Sequence, residues 1–149
     1  MLLNYTMPIQ FGDLMKRDFE HNKCDLNESV RRHIYLILMT RYGEHRFDYE
    51  YGCELWKFDF DSPNTIDRNR PVLEKSLKDT LTQMEPRLNN LKVSITISQE
   101  DFTAGTFKKI PKIKRKIDIK ISGKLVETNA DFSPAPFIVY FSPMLTDNK

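Results

Sequence analysis

Residues 73–97 read LEKSLKDTLTQMEPRLNNLKVSITI, and the spacing of their apolar side chains changes midway. Leu73, Leu77, Leu81 and Met84 recur every three or four positions, as one face of a helix requires, and Leu88 continues the stripe. From Leu91 the period is two: Leu91, Val93, Ile95 and Ile97 alternate with Lys92, Ser94 and Thr96, as a strand with one wet face requires. Between the two, Pro86 biases Glu85 away from helical dihedrals, so the helix is expected to end or bend at Glu85. The stretch therefore reads as helix, corner and strand.

Upstream the signals are helical. DSPNTIDRNRP (61–71) leads into the helix, with Asn69 expected to cap it and Pro71 to sit in its first turn. HRFDYEYGCELWKFDFD (45–61) crowds Phe47, Tyr49, Tyr51, Trp56, Phe58 and Phe60 among acids, which suits an exposed strand or an extended loop across the core, broken at Gly52. Such a run packs against a neighbouring element or serves as a partner-binding surface. Before it, ESVRRHIYLILMTRYG (28–43) places Val30, Ile34, Ile37, Leu38 and Arg41 at helical spacing, while Leu36 and Met39 widen the apolar arc. Asp25 or Asn27 can cap this helix, and Gly43 stands where a left-handed C-terminal residue is expected. A further short helix is expected over Asp13–Glu20, capped by Asp13, with Leu14, Met15 and Phe19 on its apolar side.

Downstream the period stays at two. Ile117, Ile119 and Ile121 alternate with Lys116, Asp118 and Lys120; Gly123 marks a bulge or bend before Leu125 and Val126. Phe137–Phe141 is a strand bracketed by Pro134, Pro136 and Pro143. Helices first and strands after predict an α+β fold with N-terminal helices packed on a small antiparallel or mixed C-terminal sheet.

At 149 residues, 40% hydrophobic and 30% charged, the chain is one globular domain by length and neither disordered nor membrane-like by composition. The net charge of +2 comes from 23 basic and 21 acidic residues, but the charges are segregated. Lys108, Lys109, Lys112, Lys114, Arg115 and Lys116 fall in one acid-free stretch, without which the acids are in excess. Glu44 to Asp67 is strongly acidic. Cys24 and Cys53 form no CxxC pair and read as buried thiols of a reducing compartment. MLLNYTMPIQF has neither the basic leader nor the apolar core of a secretory signal, so a cytoplasmic protein is expected.

No motif for catalysis, metal or cofactor emerges. His21, His33 and His45 are spaced twelve apart without HExxH or CxxC, phosphate-binding glycine patterns are missing, and no GxSxG elbow occurs. A glycosidase needs one protonated and one ionised carboxyl, and Glu44 with Asp48 or Glu50 is the best candidate pair. The ordinary reading of Glu44 is a structural ion pair with Arg41, His45 or Arg46. FKKIPKIKRKI (107–117) allows three readings: phosphate contacts, a lysine-protected strand edge, or a docking edge for a strand from an acidic partner. Glu85, Pro86 and Arg87 either pair internally to fix the corner or present a rigid charged fork.

Taken together, the helix ESVRRHIYLILMTRYGEH, the segment FDYEYGCELW, the helix LEKSLKDTLTQ and the corner MEPRLNNLKVSI resemble the baseplate wedge family of contractile injection machines. That family includes TssE of the type VI secretion baseplate and counterparts in contractile phage tails, historically described as lysozyme-like. The resemblance spans Leu14 to Pro143. It places a Thr-x-x-Gly-Glu signature on Thr40, Gly43 and Glu44, a Phe-Gly pair on Tyr51 and Gly52, and a Glu-Pro-Arg motif on Glu85, Pro86 and Arg87. His45 stands where arginine is usual after Gly-Glu, and Tyr51 replaces phenylalanine. The resemblance implies a structural protein with no cofactor and a fold similar to the interlocking domain of sheath subunits. It implies one wedge domain over residues 1–149, with 1–25 as a flexible or partner-binding arm. Its implied partners are wedge proteins of the TssF, TssG and TssK type, reached through the Glu-Pro-Arg corner, with Arg87 in interface contact. Sheath subunits of the TssB and TssC type are implied to add strands to the sheet near Lys114 and Lys116. Neither nucleic acid nor membrane insertion is implied; the setting is a bacterial cytoplasm, in a membrane-docked baseplate. Peptidoglycan hydrolysis and nucleic-acid binding through residues 108–116 are the rival functions.

Overall fold

The computed structural model describes residues 4–6, 9, 11–16, 20–59, 63–102 and 112–141. In chain order the elements are β1 (Asn4–Tyr5), α1 (Phe11–Leu14), β2 (Lys23–Cys24), α2 (Leu26–Met39), a 3₁₀ helix (Glu54–Phe58), α3 (Pro63–Met84), β3 (Leu88–Phe102), β4 (Lys112–Leu125), β5 (Asp131–Phe132) and β6 (Phe137–Phe141). The α+β reading holds, and both sheets are antiparallel.

α2 starts where expected: Asp25 is extended, and its Oδ1 accepts the Glu28 N–H at 2.7 Å. Val30, Ile34, Ile37 and Leu38 are its buried face. The helix stops at Met39, so Arg41 leaves the helical stripe and Gly43, at φ 80°, belongs to the following turn. Where the Asp13–Glu20 helix is expected, the single turn α1 ends at Leu14, and Met15 after it is 90% exposed; residues 17–18 lie outside the described residues. Phe19 lies outside the described residues.

α3 begins at Pro63, before the expected Asn69 cap, and carries Pro71 inside it. A mid-helix proline forfeits a hydrogen bond; full burial of Ile66 upstream of it shows tertiary packing overriding local preference. Leu73, Leu77 and Leu81 are buried as predicted. Among its described residues the aromatic segment forms no strand. It is a series of turns leading into the 3₁₀ helix, with Phe47 87% and Tyr49 70% exposed, while Tyr51, Trp56 and Phe58 pack on the core. Phe60 lies outside the described residues.

Strands β3, β4 and β6 lie side by side, β5 extending the β6 position at the far end of β4. Val93 faces Ile121, Ile95 faces Ile119 and Ile97 faces Ile117, while Ile117 and Ile119 face Val139 and Phe137. These residues form the inner face, in one apolar core with α2 and α3. The register slips between Asn89 and Lys92, where Asn90 and Leu91 oppose only Gly123. Asn90 takes φ 52°, the left-handed conformation of the first residue in a G1-type bulge. The bulge thus sits opposite Gly123, where an added Cβ would lie 2.8 Å from the Asn89 carbonyl oxygen.

The basic strand is not an edge. β4 pairs with β3 on one side and with β5 and β6 on the other, the β6 pairing running from Arg115 to Ile119, which corrects both edge readings of Lys116; Lys114 pairs with Glu100 of β3, one residue before that span. Alternation puts Lys116 on the outer face, where it meets Glu100 at 3.1 Å and Asp118 at 3.9 Å. The same alternation puts Arg115 inside, 6% exposed.

Candidate partner-binding corner

α2 ends with carbonyls that need donors. Thr40 supplies two, its N–H to Ile37 O at 3.3 Å and its hydroxyl to Leu36 O at 2.7 Å. Leu38 O accepts the Trp56 indole N–H at 2.9 Å and the Cys53 thiol at 3.4 Å. Burial pushes the Cys53 thiol up to about 11, as expected of a packed thiol; Cys24, the other free thiol, is only half-buried. Cys53 also donates its N–H to Thr40 O at 3.0 Å. Gly52 makes this return possible: at φ 122°, a Cβ there would sit 2.6 Å from Thr40 O. The Thr40, Gly43, Glu44 signature and the Tyr51–Gly52 pair are therefore two halves of one device that closes the end of α2.

Within that device Glu44 serves the backbone. Its Oε2 accepts the Arg41 N–H at 2.9 Å, and its own N–H returns to Arg41 O at 3.1 Å. The expected ion pair is thus a main-chain hydrogen bond, while the Arg41 guanidinium lies 3.8 Å from Asp59 and over the Trp56 ring. Glu44 is exposed, so it lacks the apolar setting that a general acid needs.

The corner itself is built around Glu85, which is fully buried. Its N–H closes the last turn of α3 on Leu81 O, and its carbonyl accepts the Leu88 N–H at 3.1 Å. Pro86 and Arg87 are the central residues of that turn, with proline at the position its fixed φ favours. The Glu85 carboxylate takes Arg87 Nε at 2.7 Å, Arg87 Nη2 at 2.6 Å and His33 Nδ1 at 2.8 Å. Burial alone would push this carboxyl up, but the hydrogen bonds and charges of Arg87 and His33 outweigh it and hold it at about 2. Arg87 Nη1 donates to Ser29 Oγ at 3.0 Å, and Arg87 O accepts the Val126 N–H at 2.9 Å. The corner thus ties α2, α3, β3 and the end of β4 together.

The internal pair is what the structure contains, and Arg87 still keeps 36% of its side chain exposed. Tyr51 lies against the same corner, its ring 6.1 Å from that of His33 and 5.6 Å from that of His45. Burial first, then the charges of Glu85 and Asp48, raise its hydroxyl pKa. Glu85 and Arg87 lie against the N-terminal half of α2 at His33 and Ser29, Gly52 and Glu44 lie past its C-terminal end against Thr40 and Arg41, and Tyr51 stands near both His33 and His45. Lys114 and Lys116 are elsewhere, on the outer sheet face. Sequence reading missed Ser29 and His33, although their spacing of four puts them on one helix face.

Among the described residues, no group of three or more His, Cys, Asp or Glu is placed to hold a metal ion. No described helix is long and apolar enough to cross a membrane.

The chain is similar to known proteins over most of this architecture. The model of the family described as baseplate wedge protein gp25 matches residues 24–130. The baseplate wedge protein gp25 of Enterobacteria phage T4 is 30% identical over 92 residues, covering 54% of this chain and 67% of the relative. A putative tail lysozyme from Geobacter sulfurreducens, solved by crystallography, shares the fold at a TM-score of 0.51 and 20% identity, covering 85% of this chain and 99% of that one. A chain of the baseplate complex from the type VI secretion system aligns over 76% of this chain and 92% of its own length, at 20% identity and a TM-score of 0.47. The matched span runs from Cys24 through α2, the corner and the long β3–β4 hairpin to Ala130, just before β5, and on that basis the chain belongs to the baseplate wedge protein gp25 family.

Proposed function

We propose that this wedge protein is a non-catalytic connector in the baseplate of a type VI secretion system. In this reading the Glu85–Pro86–Arg87 corner grips wedge proteins of the TssF and TssG type, with TssK-type proteins in the same baseplate. The sheet receives strands from sheath subunits of the TssB and TssC type, so that sheath growth begins on it. The work takes place on the cytoplasmic side of a membrane-docked baseplate. Membership of the baseplate wedge family is the observation that carries this reading.

Two structural features support it. Arg87 is held in one orientation by Glu85 and Ser29, which use three of its five N–H donors. The others remain for an acceptor on a partner. The sheet also has an edge suited to strand addition. Ile95 donates its N–H to the Glu74 carboxylate at 2.8 Å, not to β4. Strand alternation then turns the Ile117 and Ile119 backbone groups toward β6, and those of Ile138 and Tyr140 away from β4. Among the described residues β6 pairs only with β4, and Ile138 and Tyr140 are each 45% exposed. We therefore move the strand-docking role from Lys114 and Lys116 to the outer edge of β6.

The test is co-purification with the neighbouring wedge proteins. Arg87→Ala, checked for folding by circular dichroism, is expected to lose most of the capture; retention at the wild-type level overturns the role of the corner. In a turbidity assay on peptidoglycan, neither wild type nor Glu44→Gln is expected to lyse cell walls. Lysis that disappears in Glu44→Gln overturns the non-catalytic reading. The genes adjoining this one test the choice of secretion system over phage tail.

A further inference from the structure

The corner holds one polar atom that its internal pairing does not use. The Glu85 carboxyl, held at about 2, is ionised at neutral pH and can only accept hydrogen bonds. The 2.8 Å contact between Glu85 Oε2 and His33 Nδ1 therefore requires the proton on Nδ1. That fixes the tautomer of the neutral imidazole and leaves Nε2 as a bare lone pair. Among the described residues no donor reaches Nε2. The atom is open to solvent on a side chain that is 31% exposed. Arg87 stands next to it. Its Nη2 donates to the same Glu85 Oε2 at 2.6 Å, so imidazole and guanidinium adjoin around one oxygen. Arg87 is itself partly exposed and has N–H groups beyond the three taken by Glu85 and Ser29. The corner thus offers a fixed acceptor beside a fixed donor.

We propose that His33 is a partner-contacting residue of the corner, its Nε2 accepting a hydrogen bond from the side-chain amide of an Asn or Gln on a wedge protein. Other partner groups fail on polarity. A carboxylate has acceptors only, so it would satisfy Arg87 and set lone pair against lone pair at His33. A cationic donor would satisfy His33 and bring its charge beside Arg87. Main-chain amides of a folded partner are almost all paired already. A side-chain amide carries an acceptor oxygen and a donor nitrogen, one for each neighbour. This inference rests on the reading of the corner as the wedge-binding surface.

The experiment measures binding of the full chain to purified wedge proteins of the TssF and TssG type by biolayer interferometry, with thermal melts of each variant alongside. His33→Asn ends at the depth of Nδ1, so it keeps an N–H for Glu85 and removes the acceptor at Nε2. It is expected to melt close to wild type and to bind at least about fivefold more weakly, the loss that roughly 1 kcal/mol for one hydrogen bond gives. His33→Gln reaches as far as Nε2 and restores an acceptor there. It is expected to bind close to wild type, even where its melt shows that Glu85 has lost a donor. A role confined to holding Glu85 predicts the reverse order of the two variants. Wild-type binding by His33→Asn, or binding by His33→Gln as weak as that of His33→Asn, overturns the proposal. Arg87→Ala separates it from the reading beneath. If that variant binds as wild type does, the corner reading fails and the proposal with it, whereas loss in Arg87→Ala with full binding by His33→Asn overturns the proposal alone.

Discussion

Glu85 is the residue on which most depends, because a buried carboxylate is stable only while its donors remain in place. Glu85→Gln keeps the shape but removes the charge that Arg87 and His33 address, and is expected to cost about 3 kcal/mol in urea unfolding. The pH dependence follows from the direction of its shift. The folded carboxyl titrates near 2, below its ordinary 4.5, so between these values the unfolded chain binds more protons than the folded one. The stability due to Glu85 is then fully present above about pH 4.5 and is lost as pH falls toward 2. Urea midpoints measured from pH 5 to pH 2 should converge for wild type and Glu85→Gln. Two glycines separate backbone freedom from space. Gly43→Ala meets only the positive φ, since nothing lies within 4 Å, and is expected to cost about 1 kcal/mol. Gly52→Ala adds a clash with the Thr40 and Arg41 backbone and is expected to cost about 3 kcal/mol or more. Thermal melts of the pair read the difference.

Among the elements, α3 has two duties. Its apolar stripe fills the core, and Glu74 on the same helix occupies an N–H on the outer edge of β3. An open edge invites pairing with other chains, and this one has a carboxylate on it. Glu74→Ala leaves the Ile95 N–H without its acceptor and is expected to lose about 1–2 kcal/mol by chemical denaturation. Glu74→Gln retains an acceptor oxygen and should stay within about 1 kcal/mol of wild type. The proline at 71 carries the matching lesson about boundaries. Local preference reads it as a first-turn residue, and only the burial of Ile66 reveals two further turns before it.

For the whole molecule, the small net charge conceals surfaces that point in different directions. The corner lies against Ser29 and His33 of α2, the lysines of β4 cover the outer sheet face, and the β6 edge flanks the sheet. Substitutions at the corner and at the edge share no partners and should act independently. Ile138→Pro removes an outward N–H at an edge strand, where proline is tolerated. It is expected to abolish sheath growth on assembled baseplates while leaving wedge capture intact. Arg87→Ala should do the reverse, with capture measured by co-purification and growth by electron microscopy.

By itself the sequence determined the class and order of the long elements, since apolar periodicity of 3.6 and of two follows directly from helix and strand geometry. Asp25 as a cap, the break at Glu85 and the burial of Ile117, Ile119 and Ile121 were all legible for that reason. Even the inward place of Arg115 follows from the phase of its strand, although its charge suggested the surface. Only the tertiary structure decided which strand lies in the centre, because hydrophobic alternation is the same for a central strand and an edge. It alone brought His33 to Glu85 and Ser29 to Arg87, partners separated by more than fifty positions, and converted Glu44 from a candidate acid into a backbone clasp. A carboxylate's role depends on the donors that folding delivers to it, and the chain order of a sequence does not contain those distances.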